Sequence, residues 1–266
     1  MNPSNSLKIA GLQIDLAWES IDQNLERIEG LLKQIEEVDL VLLPEMFSTG
    51  FSMNVEELAP RNEEVVSWMK KMSLERGFAV GGSLSILENE KYFNRFFFVD
   101  GGEVQHIYDK RHLFSLAKEE EVFSAGQNRE VFQFKGWRIC PMICYDLRFP
   151  VWSRNREEYD LLLYVANWPE RRIEAWDTLL RARAIENMSA VVGVNRVGKD
   201  GNGIDHIGHS VIIDPMGSIL AQLDPWKEGY VLAELEKEGI EKAKEKFGFL
   251  KDRDVFNCLG LPPKKE

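Results

Sequence analysis

Short, unbroken apolar runs constrain this chain more than any other feature. The run from Asp39 to Leu43 stops at Pro44-Glu45-Met46-Phe47, and the run from Leu161 to Ala166 stops at Asn167-Trp168-Pro169. A strand that is apolar at successive positions needs cover on both faces, which a sheet packed beneath helices provides. Stretches of helical period lie between such runs. Leu25, Ile28, Leu31, Leu32 and Ile35 give one apolar face to a helix expected over 21–37, with Ser20 and Gln23 as its capping box. A second helix is expected over 62–76, closed by Gly77, and a third over 172–188. Elsewhere strands follow one another as hairpins, 78–87 with 92–99 and 130–134 with 137–143. This mixture predicts an α/β protein of layered type, with mixed sheets facing inward and helices outside. Elements of one kind recur throughout, so residues 1–266 read as one domain, with an extended tail over about 248–266.

Three strands run straight into an ionisable residue: Leu42-Leu43-Pro44-Glu45, Ile107-Tyr108-Asp109-Lys110 and Met142-Ile143-Cys144. Sites in α/β sheets form beyond the carboxyl ends of strands. A carboxylate, an ammonium and a thiol gathered at one sheet edge make a coherent set. A thiol is a weak nucleophile until a base takes its proton, a cation can hold the oxyanion of a tetrahedral intermediate, and the Tyr145 N–H can add a second donor. Acyl transfer through a thioester follows. Taken singly, each member has a plainer reading: Glu45 as the buried partner of an arginine, Lys110 as a solvated charge, Cys144 as an inert core thiol. The joint pattern is what favours chemistry.

Charge and cysteine usage narrow the partners. A net charge of −11 argues against nucleic acid or an anionic membrane as the main partner, and no stretch approaches the ~20 apolar residues a membrane helix needs. Residues 1–6 are short and polar, without the apolar core of a signal peptide. Cys140 and Cys144, four residues apart on one strand, would sit about 13 Å apart, too far for a disulfide. With Cys258 they suggest a reducing cytoplasm.

Leu43-Pro44-Glu45-Met46, Tyr108-Asp109-Lys110-Arg111-His112-Leu113-Phe114 and Ile143-Cys144-Tyr145-Asp146-Leu147-Arg148-Phe149-Pro150 together resemble the glutamate, lysine and cysteine motifs of the nitrilase superfamily of carbon–nitrogen hydrolases. The resemblance runs along nearly the whole chain. It implies a four-layer αββα sandwich with two mixed sheets, which usually pairs into a homodimer, with the tail a candidate for the interface. It further implies Glu45 as general base, Lys110 as oxyanion stabiliser and Cys144 as nucleophile. A second glutamate in the loop after the lysine motif is matched best by Glu119, with Glu120 and Glu121 as alternatives.

Cys144 to Arg154, Tyr164 to Pro169, Ala182 to Asn187 and Asn195 to Gly198 further resemble the omega-amidases, which hydrolyse the terminal amide of 2-oxoglutaramate and 2-oxosuccinamate. Such a substrate requires a cation or several N–H donors some distance from the thiol, and bulky walls that exclude longer amides. Arg171 or Arg172 could meet its carboxylate; Trp168, Phe47 and Phe51 are wall candidates, each with core packing as its other reading. Asp146 and Arg148 are expected to pair and fix the nucleophile turn. His206 and His209 belong to a glycine-rich loop without a third ligand nearby, so no metal is expected, and nothing suggests another cofactor. The same motifs would serve a deaminated-glutathione amidase or an N-carbamoyl hydrolase. A non-catalytic relative is expected to have lost one of the three ionisable residues, and this chain keeps all three.

Overall fold

The computed structural model describes residues 5–156 and 159–258. In chain order the strands are β1 (Ser6–Gln13), β2 (Leu40–Leu42), β3 (Ala79–Glu88), β4 (Lys91–Asp100), β5 (Glu103–Asp109), β6 (Phe132–Phe134), β7 (Trp137–Ile143), β8 (Leu161–Ala166), β9 (Ala190–Asn195), β10 (Val197–Lys199), β11 (Asp205–Ile207), β12 (Val211–Ile213), β13 (Ile219–Gln222) and β14 (Gly229–Glu236). They form two six-stranded sheets, β14-β1-β2-β3-β4-β5 and β13-β12-β9-β8-β7-β6, with β10 and β11 as a separate hairpin. Each sheet carries a parallel trio, β1-β2-β3 or β7-β8-β9, flanked by antiparallel strands. The expected mixed sheets are therefore present.

The period of two decides which core each side chain enters. Leu7 and Ile9 of β1, with Leu40 and Leu42 of β2, join the residues of the second sheet in one cluster between the sheets. Their neighbours Ala10, Leu12, Val41 and Leu43 turn to the other face. That face is covered by α1 (Ile21–Leu32), by the short α2 (Val55–Leu58) at its edge and by α3 (Asn62–Arg76). On the far side, after the single turn α4 (Pro150–Ser153), α5 (Ile173–Asn187) sets Trp176 and Leu180 against β9 and β12. The last helix is α6 (Lys237–Phe247). The order helix, sheet, sheet, helix follows. The two sheets approach closely at Gly11, where a Cβ would come within 2.7 Å of Val194.

Several expectations move. Helix α1 stops at Leu32, a turn and more before residue 37, because the Arg76 guanidinium takes the carbonyls of Leu32 and Ile35. Ser20 makes no capping bond; the Asn24 side chain satisfies the N–H and C=O of Ala17 instead. The β10–β11 hairpin lies in a glycine-rich stretch that reads as loop. The tail makes a 3-10 turn at Phe249–Asp252 before its irregular course to Cys258, with Phe256 and Cys258 against the core; 259–266 lie outside the described residues.

Candidate active site

Glu45, Lys110 and Cys144 arrive from three strand ends, two on the first sheet and one on the second. Glu45 follows β2, Lys110 follows β5, and Cys144 opens the 3-10 turn after β7. All three line one cavity of about 580 Å³. The three side chains therefore face a common space.

The charges are fully buried and mutually satisfied. The Lys110 Nζ lies 2.9 Å from Glu45 Oε1, and 3.0 and 2.9 Å from the two oxygens of Glu119. Asn94 on β4 donates to Glu45 Oε1 at 2.8 Å and to Glu119 Oε1 at 3.4 Å. The Asn167 N–H donates to Glu45 Oε2 at 2.9 Å, and the Phe114 N–H to Glu119 Oε2 at 2.6 Å. Burial alone would pull the Lys110 ammonium down; the charges of Glu119 and Glu45 outweigh it and hold the group well above its ordinary range. Burial pushes the Glu119 carboxyl up, against the pull of Lys110. Of the three consecutive glutamates, Glu119 alone is buried here, whereas Glu120 and Glu121 face solvent and Glu121 pairs with Lys118 at 3.2 Å.

Cys144 is half-buried and free. Its φ of +44° lies in the left-handed region, where a side chain is strained. Its thiol lies within the electrostatic reach of the Glu45 carboxylate. Burial, then the Glu45 charge, raise its pKa well above the ordinary value, against the opposing effect of Lys110. The proton therefore rests on sulfur. The Tyr145 N–H heads the 3-10 turn, where no intrahelical acceptor precedes it.

The remaining walls divide the expected residues. Tyr145, Trp168, Arg171 and Arg172 line the cavity. Trp168 is also packed on Trp176 at 5.5 Å, so both of its readings apply. Phe47 does not line it: the ring lies in the core under Gly82, where a Cβ would meet it at 2.8 Å, and near Trp68 at 6.1 Å. Phe51 is the wall instead, its ring 5.1 Å from Lys110 Nζ. Arg148 does not pair with Asp146, whose carboxylate is filled by Tyr108, His112 and Ile143. The Arg148 guanidinium instead stacks over Trp168 at 5.0 Å and faces the cavity. Arg172 stacks over Phe114 at 5.0 Å, and burial, then the Arg171 charge, lower its pKa. His206 sits on strand β11 and lines the cavity, while the Nδ1 of His209 lies 2.9 Å from Asp177. Among the described residues no cluster of three ligating side chains is placed for a metal.

Sequence reasoning missed Asn94 and Arg148. Asn94 was legible as a single amide inside Tyr92-Phe93-Asn94-Arg95-Phe96, where a buried polar side chain requires partners. Arg148 was obscured by the acidic neighbour two residues before it.

Comparison with known proteins gives concordant matches. Residues 8–245 match the family model described as carbon-nitrogen hydrolase. The chain is 45% identical to omega-amidase YafV of Yersinia enterocolitica, over 96% of this chain and all of that protein. It is 34% identical to the 2-oxoglutaramate amidase of Bacillus subtilis, over 93% of this chain and 98% of that protein. A carbon–nitrogen hydrolase superfamily protein of Xanthomonas campestris, solved with an arsenic adduct in its active site, superposes with a TM-score of 0.91 at 37% identity, covering 95% of this chain and 99% of that one.

Proposed function

The chain belongs to the carbon–nitrogen hydrolase family, and from that premise we propose that it is an omega-amidase, hydrolysing the terminal amide of 2-oxoglutaramate and similar short 2-oxo dicarboxylic monoamides. The observation that carries the reading is a single cavity joining the Glu45–Lys110–Cys144 cluster to three arginines, Arg148, Arg171 and Arg172. No carboxylate among the described residues forms an ion pair with any of the three, whereas Arg95 has two such partners and Arg183 and Arg196 one each. The relatives' names agree with such a substrate.

The steps follow from the resting state. Glu45 takes the Cys144 proton as sulfur attacks the amide carbon. The Lys110 ammonium, with three donors to share, and the Tyr145 N–H stabilise the resulting oxyanion; one such donor is worth roughly 3 kcal/mol. As the tetrahedral intermediate collapses, the C–N bond breaks and Glu45 returns its proton to the departing nitrogen, which leaves as ammonia. Water then gives a proton to Glu45 and attacks the thioester. The C–S bond breaks, the acid departs, and the proton returns to sulfur. Glu119 keeps Lys110 charged and aimed. Meanwhile the arginines hold the substrate carboxylate, and Phe51, Tyr145 and Trp168 close the walls.

The chain acts as one catalytic domain, in a homodimer and in a reducing compartment. Ile185, Met216, Ile219 and Leu220 support the dimer, being exposed apolar side chains on α5, in the turn before β13 and on the edge strand β13 itself. Among the described residues no helix is long and apolar enough to cross a membrane.

The test is ammonia release from 2-oxoglutaramate measured beside glutamine, asparagine and an N-carbamoyl amino acid. The 2-oxo acid amide is expected to be turned over best. Turnover of glutamine or of the carbamoyl compound without turnover of 2-oxoglutaramate would reject the reading.

A further inference from the structure

The ammonium and the thiol come from different sheets. Lys110 follows β5 of the first, and Cys144 follows β7 of the second. Their separation therefore depends on how the two sheets sit, unless something fastens the two strand ends directly. We propose that Asp146 is that fastening: a positioning residue whose one carboxylate clamps the lysine segment to the cysteine turn, gripping Tyr108 and His112 on one side and Ile143 on the other. The proposal rests on the amidase reading for its kinetic consequence, but not for its geometry.

Asp146 has no solvent exposure. Its Oδ1 accepts from the His112 N–H at 3.0 Å and lies 2.8 Å from His112 Nδ1. Its Oδ2 accepts from the Tyr108 hydroxyl at 2.7 Å and the Ile143 N–H at 3.1 Å. Tyr108 and His112 bracket Lys110 two residues to either side, and Ile143 and Asp146 bracket Cys144. The grips are themselves held. The His112 ring stacks on Phe149 with centroids 3.7 Å apart and planes 5° apart. The Tyr108 hydroxyl accepts from Trp152 Nε1 at 2.9 Å. Burial, then the Asp146 charge, push the Tyr108 pKa up, so it remains a donor.

A buried carboxylate wholly committed to hydrogen bonds cannot drift without leaving several donors unpaired. It thereby maintains the left-handed backbone at Cys144 and fixes the sulfur relative to Lys110. Misplacement of a reacting group by about 1 Å can cost about a hundredfold in rate. Geometry lost in this way should appear in kcat, because no Asp146 atom is among those facing the substrate cavity.

The experiment compares Asp146→Asn with Tyr108→Phe in the full chain. Asp146→Asn retains the shape but turns an N–H group toward at least one donor. It should lower kcat by about a hundredfold with KM near wild type, and slow alkylation of Cys144 by iodoacetamide, which requires no turnover. Tyr108→Phe removes one grip and should show the same pattern at about tenfold. If Asp146→Asn fails to fold, Tyr108→Phe decides. Folded variants that lose thermal stability yet retain wild-type kcat and alkylation rate overturn the clamp. If the wild-type chain releases no ammonia from any amide, the amidase reading fails while the alkylation rates still judge Asp146.

Discussion

Two groups of charge face one cavity on opposite terms. Glu45, Lys110 and Glu119 are fully buried and paired with one another. Arg148 and Arg172 are partly open and Arg171 is exposed, and no carboxylate among the described residues is ion-paired to them; Arg148 and Arg172 rest on aromatic faces instead. Desolvating a charge costs several kcal/mol unless geometry and hydrogen bonds compensate. The first group meets that cost internally and works as fixed machinery. The second leaves a positive field in a chain whose net charge is −11, and a ligand carboxylate would relieve it. Stability and turnover should therefore respond to the first group, and affinity for an anionic substrate to the second.

The strongest attempt to break this division is at the base. Cys144→Ser should abolish ammonia release while the protein remains folded, and Glu45→Gln should lower kcat by about 10²- to 10⁴-fold. Iodoacetamide should still label Cys144 in Glu45→Gln. The charge that helps raise the thiol pKa is gone, and Lys110 remains to favour the thiolate. A glutamine variant with wild-type kcat removes Glu45 as the base.

Lys110→Met comes next. It strands two buried carboxylates, and breaking a buried pair in this way costs about 3–5 kcal/mol, read as a lower urea midpoint at pH 8. The pH dependence has a definite sign. Burial already raises Glu119, and without Lys110 it rises further. A carboxyl raised in the folded state binds more protons folded than unfolded, so its stability contribution is present at low pH and lost as pH climbs through the folded value. The deficit of the variant should thus shrink between pH 8 and pH 5. An equal deficit at both would mean the carboxylates are not stranded.

The arginines should behave differently. Arg172→Ala and Arg148→Ala each remove a charge-assisted bond worth about 1.5–3 kcal/mol, equivalent to about 10- to 100-fold in kcat/KM for 2-oxoglutaramate. The loss should fall on KM, and an uncharged amide of similar length should be unaffected. Equal losses on charged and uncharged amides would merge the two groups into one.

Much of this was legible in sequence because it depends on local pattern. Helix α3 matches its periodicity to the residue, with Gly77 at φ +72° closing it, and β8 is the unbroken run 161–166. The strand-end residues were legible because a polar group after a buried strand has few places to go. What could not be read depends on contacts distant in the chain. The end of α1 is set by Arg76, forty-four residues beyond Leu32. Phe47 and Phe51, alike as wall candidates, divide between core and cavity because Gly82 leaves a hollow for the former. Arg148 and Asp146, two residues apart, point to different partners.

The smallest expected effect sharpens the comparison most finely, because it lies within a single run of identical residues. Glu119, Glu120 and Glu121 are indistinguishable by composition, yet the 3-10 turn they form sends them to different environments. Glu119 turns inward to Lys110, while Glu121 meets Lys118 with 59% of its side chain exposed. An ion pair so open to water and salt contributes little. Glu120→Gln and Glu121→Gln should therefore leave kcat, KM and the urea midpoint within error of wild type. Glu119→Gln should lower kcat, since the amide no longer balances the ammonium and offers Lys110 one acceptor oxygen in place of two. If Glu120→Gln or Glu121→Gln proves the damaging member of the series, the turn is oriented otherwise, and the inner charge group must be rebuilt around a different carboxylate.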